Sequence, residues 1–434
     1  MRMKEKTDVF IEGSKEKMIE ETIALIGFPS VNGRQEENRA CLTYFLKLAE
    51  DMGFRTMTTS DFDVGIVEMG QGEETLGILV HLDVVDIGDP KKWTFGPFEG
   101  MEREGYIWGR GAVDDKGAAV MSLYAMKAVE QLALPWKRKV WLVVGTSEEG
   151  SWTDIEHFKE EYPLPDFGFS PDGEFPIFNA EKGYADIELL FYEDARKGIQ
   201  FLKSGDSNNT IPSKAEIIWT DGRKLTAQGV ATHSSSPELG DNAIIKLCKD
   251  LREGDKLDFV RFVNDYLCGD GFGSKLGLDD GSDHLDGEYV GATTAVPTVL
   301  SLEEDGVRLV INVRQRFGTA EQEILSAMAA YSQGYRFRLE ITEYMDAMLV
   351  NRDLPFLKVM IQVHDEYGLS CDFEVAPGTS YAKSMDRFVS WGPVFEGEPS
   401  CAHVEDERIS VDSMVLATKL YSRFISRMAA CEGK

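Results

Sequence analysis

With 434 residues, 43% hydrophobic and 28% charged, the chain has the composition of a globular protein and is too long for one small core, so two domains are expected. Its 46 basic against 75 acidic residues leave a formal net charge of −29, which repels phosphate backbones and anionic lipid and argues against nucleic-acid or membrane partners. Six cysteines without CxxC spacing (Cys41, Cys248, Cys268, Cys371, Cys401, Cys431), no apolar signal segment and no run of membrane-spanning length lead us to expect a cytoplasmic protein with reduced thiols.

Helical periodicity covers 8–28 and 36–52, with Pro29 breaking the chain between them. From 53 to 185 short apolar strands alternate with loops and helices. Ile78–Val85, Val140–Thr146 and Phe167–Ser170 are continuous apolar runs that end in polar residues, as buried central strands of an α/β sheet do. An amphipathic helix is expected over Ala118–Leu134. The character changes near 186. Asp186–Tyr192, Ala215–Trp219, Lys224–Gly229, Thr298–Glu303 and Val307–Arg314 read as half-buried alternating strands, and Asn242–Leu251 and Ala320–Ser332 as helices. The Gly/Asp-rich stretch Gly269–Gly287 reads as a mobile loop; it lacks the ligand spacing of a calcium loop. The α/β style returns from about 349, with a helix at Leu354–Tyr367 and a last one near 412–430.

In open α/β sheets ligands gather where strands end, and four polar clusters fall there. The loop Gly109-Arg110-Gly111-Ala112-Val113-Asp114-Asp115-Lys116-Gly117 sets two carboxylates among glycines before a helix; these are a metal site or simply an N-cap with a first-turn acid. His81 and Asp83 lie two apart at the end of a strand, so both face the same way and the carboxylate can orient the imidazole. In Gly145-Thr146-Ser147-Glu148-Glu149-Gly150 the two neighbouring acids diverge, so one can ligate a metal while the other acts as a general base; the alternative is a solvated acidic turn. Asp172 follows a third strand, and His403 sits in a loop before the last helix. His157, His284 and His364 receive no role. Two imidazoles, three ligating carboxylates and one free glutamate suit zinc, or manganese or cobalt, and a pair of metals needs one bridging carboxylate.

The ordered set HLDVV (81–85), WTFGPFEG (93–100), GRGAVDDKG (109–117), GTSEEG (145–150), SPDGEFP (170–176) and GPVFEGE (392–398) resembles the co-catalytic metallopeptidases related to aminoacylases, carnosinases and glutamate carboxypeptidases, and within them the bacterial PepV-type (Xaa-His) dipeptidases, over nearly the whole chain. The resemblance implies that His81 and Asp172 bind one metal, Glu149 and His403 the other, and that Asp114 bridges them across a cis Asp114–Asp115 peptide. Asp83 would brace His81. Glu148 would take a proton from a water bridging two divalent metals and pass it to the leaving amine. His233 would polarise the scissile carbonyl, while Asn209 and Arg314 would grip the substrate carboxylate, a task suited to a guanidinium. Two departures stand out. The loop containing Gly378 carries Lys383 where the family has arginine, a point charge in place of a planar fork. The residues after His403 are more acidic than usual.

The expected protein is therefore α/β: a mixed-sheet, zinc-peptidase-like catalytic domain over 1–185 and 349–434, with an inserted α+β lid over 186–348. It would hydrolyse unblocked dipeptides, with a small peptide as its partner, as a monomer or a homodimer. A deacylase of N-acyl amino acids, a carboxypeptidase and a non-catalytic metal-stabilised scaffold are the competing readings.

Overall fold

The computed structural model describes residues 3–430 except 193, 195–196, 252–255, 280–281, 286, 331–333 and 400; Cys431, Ser400 and the expected helical end at Ser332 lie outside the described residues. The chain divides into two units, Met1–Asn179 with Val350–Glu374 and Ser380–Lys434, and Ala180–Leu349 with Val375–Thr379.

The first unit is built on a mixed sheet that runs Arg55–Thr58, Gly65–Gly70, Lys139–Gly145, Thr75–His81, Phe167–Ser170, Phe388–Ser390, Ile177–Glu181. Its centre is parallel: Thr75–His81 pairs with Lys139–Gly145 on one side and Phe167–Ser170 on the other. Thr75–His81 is buried at every position, as expected of a strand covered on both faces. The helices Met3–Ile26, Lys116–Glu130 and Val411–Ala429 pack together, with Lys116–Glu130 also against Thr75–His81. That central helix starts two residues before the expected span and is buried on nearly every side rather than amphipathic. Ala118, Ala119, Ala125 and Ala128 let its neighbours approach closely, so no polar face is needed.

The second unit is an antiparallel sheet in the order Lys224–Gln228, Lys214–Trp219, Ile199–Ser204, Thr294–Leu302, Val307–Arg314, Tyr184–Phe191, Arg338–Met345. Helices Ala243–Asp250, Asp258–Phe262 and Glu321–Ala330 contribute to its core. Asn242 caps the first of these, its Oδ1 accepting from Ile244 N at 2.9 Å, an interaction worth about 1 kcal/mol. Lys214–Trp219 alternates in burial as the sequence suggests, but Val307–Arg314 is almost continuously buried. Val307, Leu309, Ile311 and Val313 enter the core, and on the strand's other side Ser234 Oγ donates to Asn312 Oδ1 at 2.7 Å. The stretch Gly269–Gly287 is not purely an exposed loop, because Leu276 and Leu278 enter the core and Asp270 accepts from Phe272 N, Ser274 Oγ and Lys275 N.

Candidate metal centre

Parallel pairing decides which side chains meet. His81 lies opposite Gly145 in the ladder, so the loop after Gly145 leaves the sheet beside His81. Asp172 follows the neighbouring strand Phe167–Ser170 at the same edge. Asp114 arrives from the strand Tyr106–Trp108 through a loop in which Gly109 and Gly111 take φ of +141° and +89°, values that side chains resist. The Asp114–Asp115 peptide is cis. His403 comes from the segment just before the strand Arg408–Ser410, which pairs with Tyr106–Trp108 and so brings it beside the Asp114 loop.

Two clusters result, and they share Asp114: His81 with Asp114 and Asp172, and His403 with Asp114 and Glu149. Asp114 Oδ1 stands 2.9 Å from His81 Nε2, and Oδ2 stands 2.9 Å from His403 Nε2. Asp172 Oδ2 lies 3.7 Å from His81 Nε2, and Glu149 Oε1 3.1 Å from His403 Nε2. The side chains of His81 and Glu149 are 1% and 7% exposed, while that of His403 is 54% exposed, so the centre opens on the His403 side.

The donor set fits a pair of divalent cations on one specific point. His81 Nδ1 lies 3.0 Å from the main-chain oxygen of Asp83, an acceptor only, so Nδ1 carries a proton and Nε2 of the neutral ring presents a lone pair. That buried Nε2 has no hydrogen-bond partner of acceptable angle, although two carboxylates lie close to it. A lone pair facing carboxylate oxygens is repulsive unless a cation or a proton sits between them. Without a cation, protons take that place. Partial desolvation opposes a charge on the half-exposed His403 ring, but Asp114 and Glu149 outweigh it and raise its pKa to about 11. His81 is likewise raised against the cost of burial by Asp114, Asp172 and Asp83. Burial, reinforced by Asp114, lifts Glu149 to about 7.

Glu148 belongs to neither cluster. Burial pushes its pKa well above the usual carboxylate range; His81 opposes the rise, while Asp172, Glu149 and Asp114 add to it, so its carboxyl feels the same charges without being a ligand candidate. The Asp83 carboxylate, expected to brace His81, stands 3.5 Å from Nδ1 and spends its oxygens elsewhere. They accept from Glu148 N at 3.1 Å, Glu149 N at 3.0 Å and Asn32 Nδ2 at 2.9 Å. The imidazole is held by the Asp83 carbonyl instead.

Several positioning groups escape a reading of the sequence. Asp115 makes no helix-cap bond; its Oδ2 accepts from His81 N at 3.1 Å. Glu407, in a run of acids that looks solvated, is fully buried. Its Oε1 accepts from the main-chain N–H of Gly111 and Val113 at 3.0 Å and of Asp114 at 3.2 Å, and its Oε2 accepts from Arg110 Nη1 at 2.7 Å. One side chain thus ties the segment that follows His403 to the loop that carries Asp114. The only advance signal is Arg110 in the GRGAVDDKG motif, since Glu407 stands in the acidic stretch after His403.

The remaining candidates fall in the second unit, apart from Lys383, which lies in the turn Tyr381–Ser384 of the first. Within the second unit, His233 pairs with Thr210 across a two-strand ladder and its Nδ1 lies 2.6 Å from Ser235 Oγ. Asn209 is exposed, with Oδ1 accepting from Ser207 Oγ at 2.7 Å. Arg314 is 8% exposed, its Nε donating to Asn312 Oδ1 at 3.2 Å and its guanidinium lying over Tyr184. Gly378 has open space where a side chain would stand.

Residues 77–427 match the model of peptidase family M20/M25/M40. The chain is 33% identical to "Putative dipeptidase YtjP" of Bacillus subtilis (strain 168), covering 95% of this chain and 94% of that one. Among solved structures, human carnosine dipeptidase 1 (TM-score 0.65, 13% identity, 98% of each chain) and the di-peptidase Dug1p of Saccharomyces cerevisiae (TM-score 0.66, 12% identity, 98% of this chain and 99% of that one) share the fold. The α/β architecture with its mixed sheet is that of these peptidases. No described helix is long and apolar enough to cross a membrane. The chain belongs to peptidase family M20/M25/M40.

Proposed function

We propose that this protein is a dinuclear metal-dependent dipeptidase of the PepV (Xaa-His) type, acting on unblocked dipeptides in the cytoplasm. The observation that carries the reading is the Asp114 carboxylate shared between two donor clusters, with Glu148 beside both and part of neither. His81, Asp114 and Asp172 would hold one divalent cation and His403, Asp114 and Glu149 the other, zinc suiting this mixed set best and manganese or cobalt also fitting it. When bound, two such cations polarise a carbonyl and lower the pKa of water between them.

The chain's own residues supply the remaining work. Glu148 takes a proton from the attacking water and delivers it to the departing amine, a role open to it because it belongs to neither donor cluster. Asp83 fixes the main chain of Glu148 and Glu149 by accepting both amide N–H groups. In the second unit, read here as a lid, His233 would stabilise the oxyanion, and Asn209 and Arg314 would bind the substrate carboxylate. Gly378 and Lys383 would contact the substrate from their own loop, where a lysine tolerates more varied geometry than an arginine.

The test is a panel of dipeptides, N-acyl amino acids and longer peptides offered to metal-free protein refilled with Zn, Mn or Co. Release of free amino acids from unblocked dipeptides supports the reading. Preference for N-acyl amino acids would make it a deacylase, and no turnover with any metal would leave a scaffold.

A further inference from the structure

The loop that carries Glu148 is held at more points than its ligands require. Asp83 captures the amides of Glu148 and Glu149. A second buried carboxylate, Asp154, captures the two before them: its Oδ2 accepts from Thr146 N at 2.7 Å and from Ser147 N at 2.9 Å. The same oxygen accepts from Tyr381 Oη at 2.5 Å. Asp154 and Tyr381 are each 1% exposed, so neither can meet substrate. Tyr381 comes from the far end of the chain, in the Gly378–Lys383 motif. Its ring stands edge-on to His81 (centroids 6.1 Å) and to Trp152 (5.4 Å).

Trp152 closes the loop from the other side, its Nε1 donating to the main-chain oxygen of Glu148 at 2.7 Å. Thr146 is fixed twice more, its carbonyl by Asn38 Nδ2 at 3.2 Å and its hydroxyl by Asp63 O at 2.8 Å. In the GTSEEG motif Gly145 leaves room for Asp154 and Tyr381, and Gly150 for Asn32. A Cβ on Gly145 would lie 2.4 Å from Tyr381 Oη and 2.6 Å from Asp154 Oδ2, and one on Gly150 would lie 2.5 Å from the Asn32 side chain. The motif is therefore shaped around Asp154 and Tyr381 as much as around a metal.

We propose that Asp154 and Tyr381 form a positioning pair that fixes the loop bearing Glu148, so that the C-terminal Gly378–Lys383 motif acts on the reaction from behind the base. The proposal rests on the functional reading above for its effect on rate, but not for its effect on the loop. A site whose base must sit within about 0.5 Å of its working position depends on such a supporting shell. Tyr381 and Asp154 act through the main chain of 146–149 and touch no reacting atom.

Tyr381→Phe keeps the ring and deletes only the hydroxyl; Asp154→Asn keeps an acceptor but loses the charge. Both variants are loaded with saturating metal and compared with wild type for kcat, KM and amide hydrogen exchange over 145–152. The pair predicts that Tyr381→Phe lowers kcat about tenfold with KM within about twofold, and speeds exchange at 146–149 by a similar factor. Asp154→Asn does the same to a greater degree. A purely structural role would leave kcat unchanged in folded, metal-saturated protein. The proposal is overturned if either kcat or the exchange of these amides stays at its wild-type value in Tyr381→Phe. If wild-type protein cleaves no dipeptide, the functional reading falls, and the exchange result alone decides for or against the pair. Should Asp154→Asn fail to fold, Tyr381→Phe carries the test.

Discussion

Glu407 accepts the main-chain N–H of Asp114 at 3.2 Å, and with the same oxygen those of Gly111 and Val113. The carboxylate shared by both donor clusters therefore owes its place to an acid four residues past His403. The acid is itself neutralised by the 2.7 Å bond from Arg110.

Removing that acid strands Arg110 in the interior, where it is 1% exposed. Glu407→Ala is expected to lower stability by about 3 kcal/mol, the cost of breaking a buried pair from one side. It also releases three amides that held the Asp114 loop. Thermal or denaturant unfolding, with metal content measured on the same sample, checks both effects. Wild-type stability and two bound metals in the variant would contradict this role.

Glu148→Ala is expected to reduce turnover by about three orders of magnitude while the protein still binds metal, because the side chain belongs to neither cluster. Steady-state rates alongside elemental analysis separate the two effects. Near wild-type turnover would show that another group moves the proton.

Metal loading at neutral pH is expected to release protons. His403 sits at about 11 and Glu149 at about 7 in the metal-free centre, so at pH 7 the imidazole is protonated and the glutamate partly so. A cation must displace those protons, and affinity falls as the pH is lowered. Calorimetric titration with zinc in two buffers of different ionisation enthalpy reads the proton count directly; identical heats in both would contradict it.

His364 predicts a separate acid sensitivity. It is 1% exposed, accepts from Trp391 Nε1 at 2.8 Å, and burial lowers its pKa to about 4. The unfolded chain binds a proton at this residue below about 6.5 and the folded one does not until about 4. Protons therefore favour unfolding across that window, and stability falls as the pH drops through it, by on the order of 2–3 kcal/mol. His364→Gln should flatten that part of the pH–stability curve.

How much of this was legible beforehand follows from what each signal depends on. The strand Phe167–Ser170 and the strand Val307–Arg314 fall where apolar runs and punctuation place them, because a strand's pattern is local. The burial of Lys116–Glu130 and of Val307–Arg314 was not legible, since it depends on what the rest of the chain lays over them. Glu405, Asp406 and Glu407 make the same point at single-residue scale. In sequence they are one acidic run; in the fold Glu405 meets Lys92 at 3.3 Å, Asp406 accepts from Thr94, and Glu407 is buried beneath the Asp114 loop. His81, Asp114, Glu149 and Asp172 could be nominated because each falls at or just past the end of an apolar strand, and His403 because it stands in a loop before the last helix. The roles of Glu407, Asp154 and Asp115 could not, because much of their bonding is to main-chain amides, to which sequence gives no identity.

Whether Asp114 is shared by two cations is read from anomalous diffraction of zinc-loaded crystals. Two peaks about 3.5–4 Å apart are expected, one beside His81 and Asp172 and the other beside His403 and Glu149, each within bonding distance of a different oxygen of Asp114. A single peak, or two that leave Asp114 uncoordinated, would contradict it.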